Sequence, residues 1–315
     1  MAIERYKNMK KIIIFTIILY VLTLCIPYFA NKSSKKTPPT PENHIALYDT
    51  KTKKQTSIPF DEYLYYVVAA EMPASFHTEA IKAQVICSRT YSLKKSKSSA
   101  HPDGSDMCTD INHCQAYTND EELKALWKEN YNYYKNKIKS AIKDTKDMII
   151  TYDNEPIDAI YHSSNNGYTE NSEDVWQKPL PYLKSVKSPD EGSPNFNFTY
   201  HISCDDLFNK VKDKYKNATM SKGIGKITYT KGKNVKNINL YSVDISGVEL
   251  RKLLNLKSAS FDIEENENTV KITTHGYGHG VGMSQYGANT LAHQGKKYND
   301  IISHYFKDTK ISKKE

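Results

Sequence analysis

Arginine is nearly missing from this 315-residue chain: it occurs only as Arg5, Arg89 and Arg251, and every other basic residue is lysine. Against that bias Arg89 and Arg251 stand out as positions where a planar, bidentate donor is needed. Cysteine is also scarce, with five in all, so the fold does not depend on a disulfide framework. No block of basic residues interleaved with aromatics occurs in the body. The formal charge of +8 is concentrated in residues 1–36, which hold seven basic residues and one acid; the remainder carries only +2. The electrostatic footprint of a nucleic-acid binder is therefore missing, and no nucleic-acid partner is expected. A His-Glu-x-x-His pair and internal repeats are absent too, which removes a zincin-type helical metal site and a solenoid. The length suffices for a sizeable hydrophobic core.

What is present begins with an apolar run. Residues 12–30 contain no charge, and at about 1.5 Å rise per residue they span roughly 28 Å as a helix, enough to cross a bilayer. Arg5, Lys7, Lys10 and Lys11 precede the run, which predicts a cytoplasmic N-terminus (1–11), a transmembrane helix (12–30) and a body outside the cell. A cleaved signal peptide is the competing reading; the run is long for one, and "IPYFANK" lacks a clean small-x-small site. Residues 31–43, rich in Pro, Ser and Lys, read as a stalk. The expectation is a single-pass membrane protein with an extracytoplasmic domain over 44–307, a smaller β-rich lobe within it at 205–270, and a polar tail at 308–315.

The body reads as α+β, with helices and antiparallel hairpins forming a substrate cleft. Residues 57–76 run from an apolar-aromatic stretch into a Pro-containing turn. A helix with Thr78 as N-cap follows, and an amphipathic helix with acids at its start and Lys at its end spans 119–143. Hairpins are expected around "DNEP", across 225–247 and across 260–276, with a short helix at 248–254. Two short helices close the domain, the first capped by Ser284 and ended by Gly295.

Four segments can carry chemistry. Glu71 sits in "VVAAEMPASF", and a carboxyl in apolar surroundings has the raised pKa that a general acid near neutral pH needs; a solvated Glu at a helix boundary is the plain alternative. His101, Cys108, His113 and Cys114 lie within fourteen residues, a set that suits tetrahedral zinc or, for the two thiols, a small disulfide. "HGYGHGVGMSQYGA" (275–288) lets backbone approach a ligand closely. Its His275, His279, Ser284, Gln285 and Tyr286 offer hydrogen bonds of the kind sugar hydroxyls use, though a tight turn would look similar. "YHSSNNGYTENSEDVW" (161–176) leaves a predicted strand as a polar loop, offering Ser163, Ser164, Asn166 and Gly167, and ends in one of two Trp.

Taken in order, "AAEMPASFHTEAIKAQVICSRTYSL", "YHSSNNGYTENSEDVW" with "PYLKSVKSPDE", "SGVELRKLLNLKSASFDI" and "GYGHGVGMSQYGANTLAHQGKKYNDIISHYF" resemble the stage II sporulation protein D family over nearly all of 44–307. The apparent N-terminal anchor fits its sporulation members better than the relatives called amidase enhancers. The resemblance implies a lytic transglycosylase that cuts peptide-free peptidoglycan strands between N-acetylmuramic acid and N-acetylglucosamine during spore engulfment, with Glu71 as the catalytic acid. It also implies zinc, structural in role, on Cys108, Cys114, His113 and His101. Implied partners are peptidoglycan strands, the membrane, an amidase (stage II sporulation protein P) and a membrane scaffold (stage II sporulation protein M). Asn165-Asn166 depart from the small residue and Gly more usual before Gly167. Arg89 is a candidate for an acidic sugar group, with a structural ion pair the preferred role. The alternative function is a non-catalytic glycan-binding activator of an amidase.

Overall fold

The computed structural model describes residues 43–97, 101, 103–176, 178–190, 192–194 and 196–313. The expected membrane helix at 12–30 and nearly all of the stalk fall outside them. Among the described residues no helix is long and apolar enough to cross a membrane. The longest one, of 19 residues, carries Glu79, Lys82, Arg89, Lys94 and Lys95. This corrects the expectation of a single-pass membrane protein; the mixture of helices and strands is what the structure supports.

An antiparallel hairpin of β1 (His44–Asp49) and β2 (Lys54–Pro59) leads directly into α1 (Phe60–Glu71). Asp61 and Glu62 in its first turn suit the helix dipole. The helix stops at Glu71 because Met72 precedes Pro73 and is forced into an extended conformation (φ −124°, ψ 135°). A proline thus places the carboxyl of Glu71 at a helix end. The N-cap of α2 (Thr78–Ser96) is His77, whose Nδ1 accepts from the Glu79 amide at 3.2 Å, so the expected cap Thr78 is the first helical residue instead.

β3 (Met107–Cys108) adds to β1 in parallel. The single helix expected over 119–143 is divided into α3 (Asp120–Trp127) and α4 (Tyr131–Asp144) by a tight turn at Lys128–Asn130, with Lys128 at φ +47°. Tertiary packing outweighs helical continuity here: Trp127 meets Tyr134 edge to face at 5.6 Å, and Leu123, Ile138 and Ile142 are all buried. β4 (Met148–Tyr152) and β5 (Glu155–Pro156) form the "DNEP" hairpin, with Asp153 and Asn154 both left-handed as a two-residue turn requires. Next come β6 (Tyr161–His162) and α5 (Ser172–Trp176).

The following segment builds a lobe: β7 (Asn197–Ser203), α6 (Cys204–Lys214), the meander β8 (Ile224–Tyr229), β9 (Val235–Leu240) and β10 (Val243–Ser246), then α7 (Gly247–Leu254), β11 (Phe261–Asn266) and β12 (Thr269–His275). The chain returns through β13 (Met283–Ser284), which pairs with β6 in parallel, to α8 (Gln285–His293) and α9 (Tyr298–Tyr305). Ser284 caps α8 as expected, accepting from the Gly287 amide. Residues 310–313 of the expected polar tail instead form β14 (Lys310–Lys313), which pairs with β4 and sets Ile311 opposite Ile150.

Two cores result. α1, α2, α4, α8 and α9 bury Leu64, Val67, Val68, Ile81, Ile86 and Phe306 in one. The lobe buries Leu207, Ile238, Leu240, Leu250, Val270 and Ile272 in the other. Between them runs a glycine-rich strap, 276–282, which ties β12 back to β13.

Candidate active site

Glu71, at the end of α1, is half-buried. Its Oε1 accepts from the Ala116 amide at 2.6 Å. Burial pushes its pKa up, opposed by the hydrogen bond from the Ala116 amide and by the polar Tyr161 hydroxyl beside it. Tyr161 is fixed in turn: its hydroxyl donates to Gln115 Oε1 at 2.8 Å, and Gln115 Nε2 donates to Ser92 Oγ at 2.8 Å and Tyr63 Oη at 3.3 Å. The carboxyl is thereby aimed by a buried network drawn from α1, α2, β6 and the loop before α3. Gln115 and Tyr161 were not singled out from the sequence; their only signal was adjacency to Cys114 and to the "HSS" loop.

Two cavities meet at Glu71. One, of about 330 Å³, is bordered by Glu71, Gln115, Tyr161, Trp176 and His279. The other, of about 490 Å³, is bordered by Glu71, Trp127, Ser163, Tyr277, Gln285 and Tyr286. Among the described residues that line either, Glu71 is the only carboxylate. Trp176 and Tyr277, each more than a third exposed, present aromatic surface, one to each cavity. His279 stands beneath Trp176, with ring centroids 5.0 Å apart. Its Nδ1 accepts from the Val281 amide at 3.1 Å, and burial pushes its pKa down to about 3, so it is a neutral wall and not a proton donor.

His101, Cys108, His113 and Cys114 converge. Their ligand atoms lie within 4.8 Å of one another: Cys108 Sγ and Cys114 Sγ are 3.5 Å apart, each is 3.5 Å from His113 Nδ1, and His101 Nε2 is 3.4 Å from Cys114 Sγ. Zinc bonds of 2.0–2.3 Å in a tetrahedron imply donor separations of about 3.6 Å, so this nitrogen–sulfur set fits a closed four-ligand site. Both cysteines are free thiols. His113 and Cys114 also border the first cavity, two and three residues before Ala116.

Other candidates lie elsewhere. Ser163, Gln285 and Tyr286 border the second cavity and His279 the first. Arg89 does not face the cleft: it is 2% exposed and caps the end of α4, with Nη1 donating to the carbonyls of Thr145 (2.7 Å) and Met148 (3.1 Å) and Nη2 to that of Ile142 (3.4 Å). This replaces the expected ion pair as well as the expected sugar contact. Ser284 is fully buried, donating to Asp190, and Ser164 is buried beside Tyr277. His275 is held between Asn197 and Asp262 on the lobe. Asn166 donates to Ser260 Oγ at 2.7 Å, and Gly167 (φ +100°) shapes the turn that returns Ser188 to it. Asn165 takes up Asp190 and His162, so the Asn-Asn pair joins body to lobe. The strap's glycines serve the same end. A Cβ on Gly276 would lie 2.6 Å from Asn165 Cα, and one on Gly282 2.1 Å from the Ile160 carbonyl oxygen, so the close approach is to the chain itself and not to a ligand.

A family model described as Stage II sporulation protein (SpoIID) matches residues 48–152, which contain Glu71 and all four cluster residues. Over 287 residues the chain is 39% identical to stage II sporulation protein D of Bacillus subtilis (strain 168), covering 90% of this chain and 82% of that protein. The chain belongs to the stage II sporulation protein D family. The Bacillus amyloliquefaciens protein of that name is also 39% identical, covering 85% of this chain and 78% of its own. A Bacillus subtilis protein named amidase enhancer is 27% identical over 78% of this chain and 40% of its own length. Membership thus ties the pairing of a buried glutamate with a Cys/His cluster to a family named for sporulation.

Proposed function

We propose that this chain is a lytic transglycosylase that cuts peptide-free peptidoglycan strands between N-acetylmuramic acid and N-acetylglucosamine. The observation that carries the reading is Glu71: one carboxyl, raised in pKa by burial, at the junction of two cavities in which no other described residue supplies a carboxylate. Glycoside hydrolysis generally requires a second carboxylate to act as nucleophile or to activate water. With a single carboxyl the sugar supplies its own nucleophile. Glu71 protonates the glycosidic oxygen as the C1–O bond breaks, the muramyl C6 hydroxyl closes on C1, and the Glu71 carboxylate takes the C6 hydroxyl proton. The products are a 1,6-anhydro-muramyl end and a free N-acetylglucosamine 4-hydroxyl, and Glu71 is again an acid. Trp176 and Tyr277 give sugar rings on either side a surface to stack on.

Zinc, held by His101, Cys108, His113 and Cys114, would serve as a cross-link. Four protein ligands leave no open position for chemistry, and its work is to hold the loop from which Gln115 and Ala116 reach Tyr161 and Glu71. An amidase such as stage II sporulation protein P would supply the peptide-free strands, and stage II sporulation protein M would be a scaffold partner.

Mass spectrometry of peptide-free strands incubated with the chain tests the reading. Anhydro-ended fragments are expected, with the rate falling at least about 10³-fold in Glu71→Gln because the acid and the base are one group. Activity should decline as pH rises through the raised pKa of Glu71, since the acid must start protonated. Intact strands would favour a binding module of the kind the amidase-enhancer relative's name suggests, and release of peptide would favour an amidase or peptidase.

A further inference from the structure

Arg251, the second of the two arginines in the body, has no acidic partner. In α7 its Nε donates to the Leu256 carbonyl at 3.2 Å. Among the described residues it makes no ion pair, and the only hydrogen bond shown is that of Nε. The acids nearby are engaged: Glu249, in the same helix, pairs with Lys214, and Asp262 holds His275. The guanidinium is half-buried, which disfavours its charge, and Tyr277 lies within electrostatic reach of it. Behind burial, Arg251 also contributes to holding His162 and His279 neutral, so it lies within electrostatic reach of the strap at His279. Lys257, just past the same helix, is the second unpaired cation. Its Nζ lies 5.0 Å from the Tyr277 ring centroid and 5.7 Å from that of Phe198, again with no ion pair among the described residues.

A partly desolvated guanidinium without a counter-anion is unfavourable, and a second cation, Lys257, stands over the Tyr277 ring. Tyr277 is 40% exposed and borders the cavity that holds Glu71 and Ser163. We propose that Arg251 and Lys257, set about Tyr277, form a carboxylate-binding subsite that reads the free lactyl carboxylate of a muramyl residue. The inference rests on the glycan reading above and deepens it. A muramyl residue that still bears a stem peptide has an amide at that carbon and offers no charge there, so the subsite selects strands already stripped of peptide. The planar guanidinium supplies two parallel donors to the carboxylate, and the lysine ammonium supplies a third from the aromatic rim.

Binding separates this inference from the catalytic reading when it is measured on the full chain carrying Glu71→Gln. Three ligands of equal length are compared: peptide-free glycan strands, the same strands with lactyl carboxyls converted to methylamides, and N-acetylglucosamine oligomers. The first should bind about 10- to 100-fold more tightly than the other two, with the advantage shrinking as salt is raised. Lys257→Met should remove about 10-fold from the first ligand and leave the two uncharged ones unchanged. Arg251→Gln should remove more, and if it does not fold, Lys257→Glu takes its place in the comparison. Equal affinity for carboxyl and methylamide strands, or loss on all three ligands alike in Lys257→Met, would overturn the subsite while leaving the glycan reading standing. Binding of none of the three overturns the glycan reading itself, and the subsite with it.

Discussion

The loop at 101–118 and the strap at 276–282 both border the first cavity at Glu71, yet they are held by opposite means. In the loop, side chains do the holding: four nitrogen and sulfur ligands converge, and their neighbours Gln115 and Ala116 reach Tyr161 and Glu71. In the strap, the backbone does it. Gly276 donates to the Phe196 carbonyl, Tyr277 and Ser164 exchange both of their hydrogen bonds, and Gly278 donates to the Lys257 carbonyl. The difference teaches which perturbations each can feel. A side-chain-held loop answers to substitution of a donor atom and, with the proposed zinc bound, to a chelator, whereas a backbone-held strap answers first to steric change in the chain.

The largest effect is expected in the strap. Gly282→Ala puts a Cβ 2.1 Å from the Ile160 carbonyl oxygen at φ +75°, and should cost roughly 4 kcal/mol or prevent folding. Gly295→Ala has φ +87° but open space around it, and should cost about 1 kcal/mol. Equal costs in urea unfolding would break the close-approach account. In the loop, Cys114→Ser should lower stability by about 3 kcal/mol, and a chelator should destabilise the parent chain without further affecting the variant. A parent chain indifferent to chelation would remove the cross-link. Arg89→Lys keeps a cation at the end of α4 but cannot serve three carbonyls, and should cost about 2 kcal/mol by thermal unfolding.

A pH-dependent effect sharpens the comparison, because a buried carboxyl also touches the strap. Glu170 donates its amide to the Gly280 carbonyl, while its Oε1 accepts from Thr230 Oγ1 (2.8 Å) and the Asn234 amide (3.1 Å) of the lobe. Burial pushes its pKa up to about 7 from 4.5. The folded chain therefore holds this proton where the unfolded chain has lost it. The stability this provides is complete below pH 4.5 and is lost as pH rises through 7, on the order of 3 kcal/mol. Glu170→Gln should flatten the stability profile between pH 5 and 8, and an unchanged slope would exclude Glu170 as its source.

Much of this was legible where local chemistry and tertiary packing agree. "DNEP" announced its hairpin, Ser284 its cap and Pro73 a turn, but the helix that this turn ends at Glu71 was read only as an apolar-aromatic stretch. The Cys/His spacing pointed to a cluster that the structure brings together. Legibility failed where a residue's partner is distant in sequence. Arg89 meets carbonyls more than fifty residues away, and Tyr161 and Gln115 converge from different elements. The glycines of 276–282 looked like an approach to ligand, because a sequence shows that a Cβ is missing but not what fills its place. Lys128 broke a helix whose periodicity ran straight through it, since a period does not record where two segments must fold back on each other.

His279 has one further consequence. With Nδ1 taken by the Val281 amide and a pKa near 3, it gains no charge at any pH where the carboxyl of Glu71 changes state. It acts as an insulating panel in the first cavity and not as a second titrating centre. A rate profile against pH then owes no ascending limb to this imidazole, and replacing it with the isosteric but non-titrating glutamine should shift the height of the curve and leave its inflection where it was.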